Sequence, residues 1–69
     1  MNTDLQGLRK SAGLTQVQMA EALSVGQSAV SQWELGVTLP RLSMLLKLSE
    51  LLGVPMDEVV RAIEASRKE

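Results

Sequence analysis

Four side chains offer hydrogen bonds at a spacing that a helix gathers on one side: Gln27, Ser28, Ser31 and Gln32. Amides and hydroxyls without an adjacent base are poor nucleophiles, so proton transfer or covalent catalysis is not what this set suggests. They are suited instead to a surface that carries its own pattern of donors and acceptors. Val30 and Trp33 fall on the other side of the same stretch, so residues 27–35 read as a helix pinned inward by two apolar groups. A helix this short, with small and amide side chains outward, suits the DNA major groove, which is about 12 Å wide.

The remaining composition leaves little room for other chemistry. The 69 residues include no Cys and no His. Disulfides, typical zinc sites and catalysts built on a Cys or His nucleophile or base are therefore excluded. Ser and Lys remain as nucleophiles, but no paired acids or glycine-rich loop could activate or position anything, so neither an enzyme nor a cofactor is expected. Apolar residues come in interrupted clusters well short of the run of about 18 that a membrane helix needs. The start, MNTDLQGLRK, lacks a signal-peptide apolar region, which makes the cytoplasm the expected location.

Residues 1–69 make one domain. A chain of this size buries only roughly 60% of its unfolded surface, so good helix caps or dimerisation must support the core. Seven basic against eight acidic residues give a net charge of −1, whereas DNA-binding domains are usually basic. None of Arg9, Lys10, Arg41, Lys47, Arg61, Arg67 and Lys68 lies within 27–35. Affinity must then come from few phosphate contacts and backbone amides, with weak non-specific binding and a shallow salt dependence.

Five segments have helical spacing: about 4–12, 16–23, 27–35, 41–52 and 56–66. In the first, Leu5, Leu8 and Ala12 share a face, and Gly13 closes it. Thr15 followed by Gln18 is a capping box for the second. Gly36 stops the third. In the fourth, Leu42, Leu45, Leu48, Ser49 and Leu52 point inward, and Gly53 follows its end. Pro55 starts the fifth, and residues 65–69 are expected to fray. Only three residues separate the second helix from the third, so the two must cross steeply. Val17, Ala20, Leu23, Val30 and Trp33 form their shared seam, with Ala20 small enough for a close approach.

LRKSAGLTQVQMAEAL, then VGQSAVSQWELG, then Pro40, then LLKLSELLGVPMDEV resemble, nearly position by position, the helix-turn-helix domain of the phage Cro and lambdoid repressor group, often called Xre-like. The resemblance covers roughly residues 5–59. It implies an all-α, five-helix, lambda-repressor-like domain with the helix-turn-helix at helices 2 and 3, although the same fold also serves antitoxins and appended modules. By resemblance, Gln16 holds a phosphate and Gln27, Ser28, Ser31 and Gln32 face base edges or the thymine methyl. A Gln amide can bond adenine on two atoms at once. Arg9 and Glu34 match a salt-bridging pair, Arg41 matches a position near the DNA backbone, and Lys47 is a further phosphate partner.

The chain departs from that pattern in its turn and its loop. Relatives usually carry Gly at the first turn position and Ser or Thr at the third, where this chain has Ser24 and Gly26. A positive φ at Ser24 would cost about 1 kcal/mol relative to Gly. Gly26 can cap helix 3, so it joins the phosphate-contacting set through its backbone, without a hydroxyl. Val37, Thr38 and Leu39 stand where relatives often have Lys or Arg, which weakens the phosphate grip.

Met44, Leu46 and Leu51 in helix 4, with Val60 and Ile63 in helix 5, are apolar residues left at least partly outward. Dimerisation through Val60 and Ile63, with help from Leu35, Val37 and Leu39, accounts for them. The expected partners are therefore a near-palindromic DNA operator and a second copy of the chain, at least on DNA, with no membrane and no small-molecule effector. Such a chain fits a Cro-like phage or prophage repressor, or the controller of a restriction–modification operon, with no effector domain or cleavable linker expected. The rival class is a protein-interaction module, for instance an antitoxin whose DNA binding is secondary.

Overall fold

Asp4 starts the first helix, its Oδ1 accepting from the Gly7 backbone N–H at 2.8 Å. In the computed structural model, which describes residues 3–67, five helices follow one another: α1 (Leu5–Ser11), α2 (Gln16–Leu23), α3 (Gln27–Leu35), α4 (Leu42–Leu52) and α5 (Met56–Ser66). The capping box opens α2: the Gln18 N–H donates to Thr15 Oγ1 at 3.1 Å, and the Thr15 N–H donates to Gln18 Oε1 at 2.9 Å. Each bond satisfies a donor that a helix start otherwise leaves unpaired. Gly36 ends α3 at φ 77, where a side chain would be strained. Beyond α4, Ser49 Oγ donates to the Val54 carbonyl at 2.6 Å and holds the turn into α5.

α2 packs closely on α3, and α5 lies against α1, α3 and α4. Leu5, Met19, Ala20, Leu23, Val30, Trp33, Leu48, Val59 and Ile63 form the core between them. Each of the large aliphatic side chains fully removed from water contributes about 1.5–3 kcal/mol. The two ends of the fold are joined as well. The Leu5 N–H, unpaired within α1, donates to Ser66 Oγ at 2.9 Å, and that hydroxyl donates to the Ala62 carbonyl at 3.0 Å. Ser66 is buried, so residues 65 and 66 continue the helix rather than fray; residues 68 and 69 lie outside those described.

Several facing assignments need correction. Val17 is 48% exposed, and Met19 takes its place in the seam with Ala20 and Leu23. Two residues apart on a helix means about 200° around it, so Val17 and Met19 cannot share a face. Leu42, expected inward, is 71% exposed, whereas Met44 and Leu51, expected outward, are half-buried against the core. Met44, Leu45, Leu48, Leu51 and Leu52 form one stripe at intervals of three and four; Leu42 and Leu46 lie opposite it. Ile63 is only 7% exposed, because Val59, Ala62, Ile63 and Ser66 make the corresponding stripe on α5. On α1, Arg9 rather than Ala12 completes the inward face begun by Leu5; Ala12 is exposed as the helix cap.

Ser24 has φ 59 and ψ 42, the only non-glycine positive φ among the described residues. The left-handed region brings Cβ too close to the following carbonyl. Ser24→Gly is therefore expected to raise stability by about 0.5–1 kcal/mol, after allowing for the extra freedom glycine has when unfolded. A urea midpoint that rises confirms the strain; one that falls shows that Ser24 is relaxed where it stands.

Candidate nucleic-acid interface

The interface is assembled from the buried end outward. Arg9 is clamped in place by three bonds: Nε to Glu34 Oε2 at 2.6 Å, Nη2 to Glu34 Oε1 at 3.2 Å, and Nη1 to the Leu14 carbonyl at 2.8 Å. The side chains of Arg9 and Glu34 are 8% and 5% exposed, so the pair is shielded from water and ties α1 to the end of α3. Glu34 Oε1 also accepts from Gln16 Nε2 at 3.0 Å, at the start of α2. Gln16 Oε1 in turn accepts from Gln27 Nε2 at 3.3 Å, at the start of α3. One chain of polar contacts thus runs Arg9–Glu34–Gln16–Gln27, from a buried cation to an exposed amide.

Around Gln27, the outer face of α3 is open. Gln27, Ser28 and Gln32 are exposed and Ser31 is half-buried. Gln32 is touched only lightly, by Thr38 Oγ1 at 3.5 Å. Val30 and Trp33 anchor the opposite face in the core. Gly26 caps α3 without a side-chain bond, and a Cβ there would meet only Ser28 Oγ at 3.7 Å. Space therefore does not demand glycine at 26, and the first amides of α3 are left without a side-chain acceptor.

Arg41 is exposed at the N-cap of α4. It lines a depression of about 390 Å³ with Val25 and Trp33, which puts it beside the turn that precedes α3. Lys47 is exposed on α4, with no side-chain bond to α3 among the described residues. Arg9 is withdrawn into its ion pair, and Arg67 Nη1 meets Glu64 Oε1 at 3.2 Å on the surface. Lys10, Arg41, Lys47 and Arg61 are the other exposed cations of the described chain. A second surface is apolar. Leu35, Val37 and Leu39 are exposed, and a groove of about 160 Å³ is lined by Leu39, Pro40, Leu45, Val60, Ile63 and Glu64. Val60 is 43% exposed on its rim, while Ile63 forms part of its floor.

Helix, three-residue turn, and a second helix that shows hydrogen-bonding groups on its outer face: this arrangement is a helix-turn-helix. The chain belongs to the helix-turn-helix family, whose profile matches residues 5–59. It is 40% identical over 63 residues to the HTH-type transcriptional activator BcrR of Enterococcus faecalis, covering 91% of this chain and 31% of that protein. It is 38% identical over 64 residues to the HTH-type transcriptional regulator ImmR of Bacillus subtilis (strain 168), covering 93% and 50%. The SPbeta prophage-derived uncharacterized HTH-type transcriptional regulator YonR of the same strain is 34% identical over 61 residues, covering 88% and 56%. The chain thus spans between about a third and just over half the length of these relatives. No solved structure matches it at a comparable level.

From the sequence, the residues of the polar chain fall into two unrelated sets, a salt bridge and two expected DNA contacts. That Gln16 joins them is not visible there. No local pattern could have shown this, because the two bonds of Gln16 cross 18 and 11 residues of sequence.

Proposed function

We propose that this chain is the DNA-binding part of a transcriptional regulator, acting as a homodimer on a near-palindromic operator. Two copies of α3 enter successive major grooves about 34 Å apart. Gln16, Gly26, Arg41 and Lys47 hold the DNA backbone and set the register; Gln27, Ser28, Ser31 and Gln32 read the bases. The observation that carries this reading is the free polar face of α3 on a helix otherwise fixed from inside and from both ends. The printed names of the relatives, one activator and two regulators, agree with it. The prophage-derived relative favours a phage or prophage origin, and a regulator of this kind works on the nucleoid in the cytoplasm. Leu35, Val37, Leu39 and Val60 supply the surface on which two copies meet.

The test is selection of binding sites from a random duplex library at about 100 mM salt, a strength at which non-specific phosphate binding is already weakened. A two-fold symmetric motif is expected. Gln27→Ala should then weaken binding to that site by roughly 1–3 kcal/mol and relax one base pair per half-site. Its side chain is exposed, so the thermal midpoint should stay close to that of the parent. If folded protein enriches no motif, α3 does not read bases, and the apolar surface becomes the site of a protein-interaction module.

A further inference from the structure

Hydrogen-bond direction along the polar chain constrains which base Gln27 can read. Glu34 faces Gln16 at 3.0 Å, and a carboxylate accepts hydrogen bonds but cannot donate them. The Gln16 atom toward Glu34 is therefore the amide nitrogen. The same planar amide must turn its oxygen toward Gln27, and only the Gln27 nitrogen can answer it, at 3.3 Å. Arg9, bound to both Glu34 oxygens, keeps the carboxylate from rotating away.

Gln27 is left with its oxygen and one N–H free, which is one acceptor and one donor. Adenine offers the complement in the major groove, N7 as acceptor and N6–H as donor, whereas guanine offers two acceptors, N7 and O6. Were the Gln16 amide reversed, Gln27 would meet it with oxygen and turn both N–H groups outward, the pattern that suits guanine. We propose that Glu34, acting through Gln16, is a positioning residue that makes Gln27 select adenine over guanine. This inference rests on the DNA-reading function proposed above and adds a specificity determinant that touches no base.

Glu34→Gln is the informative substitution. The amide oxygen of the new side chain keeps the shorter bond, from Arg9 Nε at the position of Oε2, while its nitrogen stands at the position of Oε1, forfeits the 3.2 Å bond from Nη2 and faces Gln16, which must reverse. Site selection is run on the parent, on Gln27→Ala to locate the base pair that Gln27 reads, and on Glu34→Gln. The parent should prefer adenine at that position, and Glu34→Gln should lower the adenine-over-guanine ratio there at least about tenfold. A merely structural role for Glu34 weakens all sites alike and leaves the ratio unchanged; that result overturns the proposal, as does a parent that prefers another base there.

Should Glu34→Gln fail to fold, Gln16→Met cuts the chain outside the buried pair and should lower the same ratio, because the Gln27 amide is then free to turn. An unchanged ratio in Gln16→Met is equally fatal. A parent protein that selects no motif refutes the DNA-reading function itself. A parent motif with an unshifted ratio refutes only the role of Glu34.

Discussion

Arg9→Met is expected to remove about 3 kcal/mol or more of folding free energy. Breaking a buried ion pair from one side typically costs about 3–5 kcal/mol, because the partner is left charged and out of water. Here the loss is wider than one pair. Glu34, 5% exposed, would keep only the Gln16 amide, and the Leu14 carbonyl would lose its bond to Nη1. A domain of this length has on the order of 3–10 kcal/mol in total, so the variant should be partly unfolded at ordinary temperature. Glu34→Leu should behave similarly, since it buries an unpaired guanidinium. The double variant Arg9→Met/Glu34→Leu should recover much of the loss, because two apolar groups need no partner. Urea denaturation followed by circular dichroism reads all three. A loss below about 1 kcal/mol in Arg9→Met would place the pair with solvent-screened surface bridges and undo the account of a rigid buried clamp.

This clamp also bears on how an acidic chain can hold DNA. The net charge of −1 suggests a poor polyanion ligand, yet the count misleads in one respect. Arg9 and Glu34 cancel each other inside the fold and contribute little field outside it. What remains near α3 is Arg41 beside the preceding turn and the uncapped amides of Gly26–Gln27, a weak electrostatic grip supplemented by shape and hydrogen bonds. Under the proposed function, so few phosphate contacts make the pairing of two such faces through the apolar surface a main source of affinity.

Helix positions were legible because their signals are local. Thr15 with Gln18 completes its bonds within four residues, and Gly36 stops α3 by its own backbone freedom. Facing was less legible where two apolar residues compete for one side of a helix. Val17 against Met19, or Leu42 against Met44, can be decided only by what packs opposite, and that lies elsewhere in the chain. Ile63 is different: it stands four residues after Val59, so the periodicity alone places it inward. The family resemblance implies the salt bridge, which the fold forms, and a candidate base-reading face, but it describes residues one at a time. The bonds that join Gln16 to Glu34 and to Gln27 arise only when the starts of α2 and α3 and the end of α3 meet in space.

The inward position of Ile63 changes how dimerisation must be tested. An aspartate at 63 would bury a charge in the core and unfold the protein, so lost DNA binding would say nothing about association. Val60 is the suitable site. It is 43% exposed, shares the apolar groove with Leu39, and lies one residue off the buried stripe of α5. Val60→Asp should therefore leave folding within about 0.5 kcal/mol of the parent. At the interface it adds a charge to an apolar contact, in a groove that Glu64 already lines, so the two carboxylates also repel. Joining two half-site contacts in one dimer raises affinity by about 10²–10⁴-fold, and Val60→Asp should forfeit most of that on a two-half-site operator. Binding to an isolated half-site, weak in the parent, should hardly change. Leu39→Asp, from the other wall of the groove, should reproduce both results. Sedimentation of parent and variants on a duplex bearing the selected motif reads the stoichiometry directly. Two copies per duplex with undiminished affinity in both variants would move the dimer contact away from this groove, whereas one copy in each, with half-site affinity intact, fixes it there.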